Sequence, residues 1–169
     1  MPRRLLRDGR IVADDWRYAA DGPADGSSPL ILKLVEWQTE RERWLGEDRR
    51  LGVLLGPTHK VEVLVPDLAR LDLIGAEFPT ANDGRGYSQG RQLREHWSFR
   101  GELRAVGYVR RDQLFLMARA GFDSFEVDER DLDIAVAALA DFSFAYQPMN
   151  DAGLKIRPRH RWPGTAATA

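Results

Sequence analysis

The stretch 83–88 contains the residue types that bind a small oxyanion. It reads Asp-Gly-Arg-Gly-Tyr-Ser and leads directly into a segment with helical periodicity. Gly84 and Gly86 permit positive φ angles and a close approach of the backbone to a ligand, and the amides at the start of a helix attract anions. Arg85 and Ser88 add side-chain donors. We therefore expect a phosphate, sulfate or carboxylate site, with the ligand-binding residues Gly84, Arg85, Gly86, Tyr87, Ser88, Arg104 and Gln113.

Two carboxylates near this site are candidates for acid–base catalysis. Asp83 precedes the first glycine, and Asp112 follows the next predicted strand, whose loop should gather at the same end of the sheet. Each also has a structural explanation. Arg85 can pair with Asp83 in an ordinary helix cap, and Asp112 suits the N-cap of a helix that begins at Gln113. For each residue, the catalytic role and the structural role both stay open. Whether the chain is an enzyme therefore stays open as well.

Established cofactor motifs are missing from the sequence. There are no cysteines, which excludes disulfides, thiol nucleophiles and thiolate-bound iron–sulfur clusters. His59, His96 and His160 lack the spacing of metal ligands. There is also no nucleophile elbow, P-loop or complete dinucleotide-binding fingerprint. We therefore expect neither a metal nor an iron–sulfur cluster, and the identity of any other cofactor stays open.

Length and composition are typical of one globular domain. A chain of 169 residues corresponds to a single domain, and 43% hydrophobic residues suffice for a core. The formal net charge of -1 gives no overall field that would draw the chain to nucleic acid or to an anionic membrane. Residues 1–15 mix arginines with apolar residues, which suits neither a signal peptide nor a membrane span. We expect a cytoplasmic protein.

Alternating strands and helices must position the residues of the candidate site. Short apolar runs predict strands over 30–34, 51–55, 73–78, 103–109 and 124–127, and helical segments follow them over 36–45, 67–71, 87–97, 112–120 and 131–142. The second pair is the weakest, because 58–65 fits an edge strand as well as a helix start. Strands joined by crossover helices pair in parallel. The expected fold is therefore α/β, a parallel sheet of about five β–α units that resembles part of a TIM barrel.

The two chain ends differ from this central pattern. Asp8-Gly9 between two short apolar runs predicts an N-terminal β-hairpin within 1–20, and the turn formers of 21–29 predict a loop. A single domain should therefore span 1–148. Residues 149–169 form a basic tail with prolines and alanines, and its removal should shift the melting temperature by only a few degrees.

Four of the predicted strands carry a charge among apolar residues. Lys33, Glu77, Arg104 and Glu126 each stand opposite the apolar side of their strand, because side chains alternate between the two faces. Inside a barrel-like wall these charges should form pairs, since unpaired buried charges are costly. Near strand ends they would reach water instead. Both arrangements stay open, and we expect the charges of the later strands to share one face.

Several segments together resemble a known family. They are Phe78-Pro79 and the stretches 83–88, 93–95, 101–107, 111–114 and 121–123. They resemble an uncharacterised proteobacterial family, domain of unknown function 934, over most of the chain from the hairpin to about Pro148. Members of this family are usually encoded beside assimilatory sulfite reductase and are labelled as oxidoreductases of sulfite reduction. Tyr108 departs from the family pattern, because we expect members of the family to have an acidic residue at that position.

The resemblance implies a place in sulfur assimilation. We expect an accessory protein of assimilatory sulfite reduction that binds an oxyanion or an anionic cofactor at its β–α loops. The alternatives are an enzyme, such as an oxidoreductase, that acts on a small anionic substrate, and a noncatalytic module that docks on sulfite reductase. The missing redox motifs favour the accessory role. Expected partners are a small anion, sulfite reductase and further copies of the chain, because exposed apolar helix faces favour a homodimer.

Overall fold

The computed structural model of the chain describes residues 3–22 and 28–141. The strands are β1 Arg3–Arg7, β2 Arg10–Val12, β3 Arg17–Tyr18, β4 Leu30–Lys33, β5 Leu51–Leu55, β6 Leu73–Phe78, β7 Glu102–Gly107 and β8 Ser124–Asp128. The α-helices are α1 Leu34–Thr39, α2 Arg41–Leu45, α3 Arg85–Glu95, α4 Arg111–Arg119 and α5 Leu132–Asp141. Short 3-10 helices cover Ala19–Asp21, Val61–Asp67 and Glu129–Asp131. The predicted tail 149–169 lies outside the described residues.

The eight strands form one mixed sheet in the order β2-β1-β8-β7-β6-β5-β4-β3. Strands β3 to β8 are parallel, whereas β1 is antiparallel to both β2 and β8. The α/β class is therefore confirmed, and the purely parallel sheet of five units is wrong. The predicted hairpin forms around Asp8 and Gly9, both with positive φ, but β1 also joins the central sheet beside β8. Strand β3 has only two residues, which is too short to produce a periodicity in the sequence.

The connection between β2 and β3 explains why the sheet is curled into a half-barrel. These strands lie at opposite edges of the sheet, which would be about 34 Å apart if it were flat. Only residues 13–16 join them, and an extended chain of that length spans at most about 18 Å. The two edges must therefore approach each other. We call residues 13–16 the strap, because this segment lies across the concave face.

The two faces of the sheet have different neighbours. On the outer face, strand residues such as Ile74 and Phe125 pack with helix residues such as Trp37, Leu93 and Met117 in the main core. On the concave face, Trp16 of the strap packs in a smaller hydrophobic cluster with the strand residues Ile31 and Leu73. The sheet thus has helices on one face and the strap on the other.

Between β5 and β6, the structure has the helix start and not the edge strand, the two alternatives that the sequence left open at 58–65. Residues 58–65 do not form an edge strand, because β5 already pairs with β4 on one side and with β6 on the other. The chain instead forms a 3-10 helix over Val61–Asp67, ahead of the helical segment predicted at 67–71. The predicted helix 36–45 is also divided at Glu40 into α1 and α2. Asp67 accepts hydrogen bonds from Trp37 and Arg41, one on each side of the division.

Candidate functional site

The glycine-rich stretch forms a tight turn in which Arg85 binds Asp83. The Arg85 guanidinium donates from Nε to Oδ1 of Asp83 at 2.9 Å and from Nη2 to Oδ2 at 2.5 Å, and the Arg85 amide donates to Oδ1 at 3.2 Å. These hydrogen bonds lower the pKa of Asp83 to about 2. A carboxyl group with so low a pKa is a weak base at neutral pH. The structural explanation of this pair is therefore present in the molecule, and Asp83 is poorly suited to proton abstraction.

The two glycines of this turn do not use positive φ angles, contrary to the expectation. Gly84 has φ -84 and precedes α3, and Gly86 lies within the helix. A Cβ atom at Gly86 would be 2.5 Å from the Phe78 ring, so this glycine allows α3 to pack on the end of β6. Among the described residues, a Cβ atom at Gly84 would meet only Tyr87, at 3.9 Å. Gly86 therefore has a packing role, whereas Gly84 is free of close neighbours.

Replacing Arg85 with alanine should lower the melting temperature by no more than a few degrees, because an ion pair with one exposed partner contributes little to stability. The Arg85 side chain is 55% exposed, and the Asp83 side chain that it binds is 11% exposed. The same substitution should raise the pKa of Asp83 from about 2 toward its ordinary value, since the hydrogen bonds that lower it are lost. An NMR titration of the Asp83 carboxyl measures this change. An unchanged pKa would contradict the hydrogen-bonded turn.

A groove of about 540 Å³ lies beside this turn, between the segment after β5 and the first turns of α3. The segment after β5 contributes Pro57, His59, Lys60 and Glu62, and α3 contributes Arg85, Ser88, Gln89 and Gln92. The groove opens at the carboxyl ends of β5 and β6, where parallel α/β proteins usually bind ligands. Arg85 and Ser88 were predicted from the sequence as binding residues. The residues from the other wall were not.

Buried glutamines fasten two of the loops at this end of the sheet. Gln89 is only 4% exposed, and its Nε2 donates to the carbonyl oxygens of Gly56 and His59, both at 2.9 Å. Gln113 similarly donates to the carbonyl oxygen of Ala81 at 3.1 Å. The Oε1 atoms of both glutamines are buried and have no hydrogen-bond partner among the described residues. Each helix therefore holds the loop of the preceding β–α unit in place.

The fourth β–α loop lies next to the third, as predicted. Helix α4 begins at Arg111, so the predicted N-cap role of Asp112 before a helix starting at Gln113 is wrong. Asp112 is exposed in the first turn of α4. The pKa of Tyr87 is raised by burial and further by the charge of Asp112. Tyr87, Asp112 and Gln113 thus lie around the third loop, and their role in binding or catalysis stays a prediction.

Arg104 does not belong to this site. Helix α3 packs on the outer face through Phe78, whereas Arg104 lies on the concave face and is fully buried. Its guanidinium donates to both carboxylate oxygens of Asp14 in the strap, at 2.7 and 3.0 Å. The expectation that Arg104 contributes to the pocket of Gly84, Arg85, Gly86 and Ser88 is therefore wrong.

The concave face contains a closed charge cluster around Arg104. Besides Asp14, the guanidinium binds Glu102 through Nε at 3.0 Å and approaches Glu126 at 3.5 Å. Burial lowers the pKa of Arg104, but the hydrogen bonds to Asp14 and the charges of Glu102 and Asp14 outweigh it, so the pKa is raised. The Tyr18 hydroxyl donates to Glu126, and burial raises the pKa of Tyr18 well above its usual range. The cluster therefore fixes the strap and β3 to β7 and β8.

The charges predicted on the strands have different roles. The register of β4 to β8 places Lys33, Glu77, Arg104 and Glu126 on the same face. Arg104 and Glu126 are paired there, but the side chains of Lys33 and Glu77 form no ion pair with another described residue. Lys33 is exposed at the end of β4 and reaches water. The expectation that all four form pairs therefore holds for only two of them.

Sequence reasoning missed Asp14, Tyr18, Glu102, His59 and Gln89. Two of these had a signal in the sequence. Glu102 precedes Arg104 by two residues and so shares its face of the strand. Gln89 precedes Leu93 by four residues and so shares the buried side of α3, where a polar residue is unusual. Asp14 lies in the strap, which has no periodicity that would indicate its partner.

Within 3–22 and 28–141, no helix is long and apolar enough to cross a membrane. The same residues include no group of three or more histidine, aspartate and glutamate side chains arranged to hold a metal ion.

Comparison with known proteins identifies the family. No curated protein matches the chain. The model of a family described as bacterial proteins of unknown function (DUF934) matches residues 52–155. The matched range begins in β5 and includes both walls of the groove as well as Arg104, whereas the strap precedes it. The resemblance inferred from the sequence is therefore confirmed, and the chain belongs to the DUF934 family of bacterial proteins of unknown function.

Proposed function

We propose that the chain binds a small oxyanion in the groove between the segment after β5 and α3, as an accessory protein of assimilatory sulfite reduction. The observation that carries this proposal is the convergence of hydrogen-bond donors from two separate segments on one groove. Lys60 and His59 come from one wall, and Arg85 and Ser88 come from the other. Oxyanions are recognised by such sets of converging donors.

The start of α3 adds to the attraction for an anion. A helix N-terminus carries a partial positive charge, and α3 begins at Arg85 beside the groove. Arg85 uses Nε and Nη2 on Asp83, so its remaining Nη1 donors are available to a ligand. The glutamine contacts that hold Gly56 and His59 keep the opposite wall in position before the ligand arrives.

The assignment to sulfite reduction rests on the family resemblance, which implies that members are encoded beside assimilatory sulfite reductase. Sulfite is itself a small oxyanion whose oxygens can accept hydrogen bonds from these donors. Docking on the reductase and self-association, to which the exposed Val35 and Leu116 could contribute, belong to the same proposal. A cytoplasmic location agrees with this role.

Replacing Lys60 with glutamine should weaken the binding of sulfite, sulfate or phosphate about tenfold, because one charge-assisted hydrogen bond to the anion is lost. Isothermal titration calorimetry measures the change. The matched control is Arg91→Gln on α3, since Arg91 is 64% exposed, pairs with Glu95 and does not line the groove. Equal weakening by both substitutions would indicate nonspecific charge attraction. Absence of binding to all three anions in the wild-type protein would contradict the proposed function.

A growth experiment tests the pathway separately from binding. A bacterium that encodes this chain should lose growth on sulfate or sulfite when the gene is deleted, and should grow normally on sulfide or cysteine. The complementing gene with Lys60→Gln should restore growth only in part, whereas Arg91→Gln should restore it fully. Normal growth of the deletion strain on every sulfur source would remove the link to sulfite reduction.

A further inference from the structure

The imidazole ring of His59 is held by the backbone of its own turn. The Gly56 amide donates to Nδ1 of His59 at 2.9 Å, and the His59 amide donates to the Gly56 carbonyl oxygen at 3.1 Å. Gln89 fixes the same turn from α3 through its hydrogen bonds to both carbonyl oxygens. The position and the orientation of this ring are therefore determined within the protein.

These contacts determine which ring nitrogen carries the proton. A neutral imidazole has one nitrogen that accepts and one that donates a hydrogen bond. Since Nδ1 accepts from Gly56, the proton of the neutral ring is on Nε2. Nε2 makes no hydrogen bond or ion pair with a described residue, and His59 lines the groove. We propose that His59 donates its Nε2–H to an oxyanion in the groove, an inference that rests on the proposed function.

The charges around His59 explain why a directed donor is needed. The cations near this turn are Lys60 and Arg85, and the anions are Glu62, Glu77 and the Asp83 that pairs with Arg85. Two positive and three negative groups give a net charge of -1. Selection of an oxyanion must therefore depend on the directions of individual donors more than on overall attraction.

Gly56 gives the ring the space to take this position. A Cβ atom at Gly56 would be 3.3 Å from Cε1 of His59 and 3.7 Å from Oε2 of Glu77. A larger residue at position 56 would press on the ring and would disturb the hydrogen bond to Nδ1. Gly56 and Gln89 are therefore positioning residues for the donor, and the ligand class is an anion with oxygen acceptors.

Two substitutions at His59 separate its two nitrogens. His59→Asn places an amide oxygen near the position of Nδ1, so it keeps an acceptor for Gly56, and its shorter side chain has no donor at the position of Nε2. His59→Gln extends an amide donor toward the position of Nε2. We expect His59→Asn to weaken phosphate binding about tenfold without changing the melting temperature, because one hydrogen bond to a charged ligand is lost. His59→Gln should retain most of the affinity.

The experiment has two readouts on the full chain. Long-range ¹H–¹⁵N NMR spectra of the free protein in mildly alkaline buffer should show the Nε2–H tautomer, and calorimetry with inorganic phosphate should show the order of affinities. A tautomer with the proton on Nδ1, or equal phosphate affinities of wild type and His59→Asn, would overturn the inference and leave the proposed function standing. Absence of phosphate, sulfite and sulfate binding by the wild type would overturn both.

Discussion

Replacing Arg104 with alanine is expected to lower the free energy of unfolding by about 3–5 kcal/mol, because it removes the buried cation that several carboxylates share. Arg104 is fully buried, and Glu102 and Glu126 beside it are almost inaccessible to water. Without the guanidinium, these groups must stay charged in a region of low polarity or take up protons. Asp14 would also lose its contact, so the strap would lose one of its attachments to the concave face.

Urea unfolding of two further variants tests this explanation. Arg110→Ala removes a surface pair with Asp131 and should cost only a small fraction of the loss at Arg104. A double-mutant cycle of Arg104→Ala with Asp14→Asn should show strong coupling, since the two side chains are in contact. A loss at Arg104 no larger than that at Arg110 would contradict the buried cluster.

The phosphate affinity of a folded Arg104 variant is a separate measurement. Arg104→Lys retains a positive charge in the cluster and should keep enough structure for titration. Because Arg104 lies on the face opposite α3, this substitution should leave phosphate binding unchanged. A large loss of affinity would place Arg104 in the ligand site after all.

The central elements could be predicted because their residues are periodic over several turns or strand positions. Strand β6 has the bounds that the apolar run 73–78 predicts, and α3 and α4 begin within two residues of the predicted starts. The sheet edges could not be predicted in this way. The pairing of β1 with β8 joins residues from the two ends of the chain, and no local pattern specifies such a contact.

The candidate site was predictable on one wall only. The residues of 83–88 are contiguous, so their types and order already indicate a helix start with donors. The other wall comes from 57–62, where a turn leads into the 3-10 helix that begins at Val61, and this backbone has neither strand nor helix periodicity. His59 is suited to donating a hydrogen bond, a role that requires no metal-ligand spacing and leaves no sequence motif.

The sequence pattern predicts the strand face of Arg104 correctly, but the placement of Arg104 in the anion site does not follow from that face. The alternation of side chains on β7 puts Arg104 opposite Leu103 and Ala105, which face the helices. The same alternation therefore separates Arg104 from α3 and from Arg85. The expectation that Arg104 and Arg85 line one anion pocket therefore disagrees with the alternation of side chains on β7.

Replacing Gly107 with alanine is expected to lower the free energy of unfolding by about 2–5 kcal/mol, from backbone strain together with overpacking. Gly107 has φ +99, a conformation that favours glycine, and a Cβ atom there would be 2.5 Å from the Phe78 carbonyl oxygen. Because that contact is with backbone, a change of side-chain rotamer cannot relieve it. The ends of β6 and β7 would have to separate.

The same substitution should also weaken phosphate binding, because Phe78 supports the start of α3. The Phe78 ring lies against Gly86 and packs edge-on to Tyr87 with 5.1 Å between ring centroids. Gly84→Ala is the matched control, since Gly84 has φ -84 and open space around it, so its stability should change by less than about 1 kcal/mol. Urea unfolding and phosphate calorimetry of both variants measure these effects. Similar phosphate affinities of Gly107→Ala and Gly84→Ala would show that the end of β7 does not position the groove. A loss of affinity in Gly84→Ala alone would show that the ligand binds at the glycine-rich turn itself.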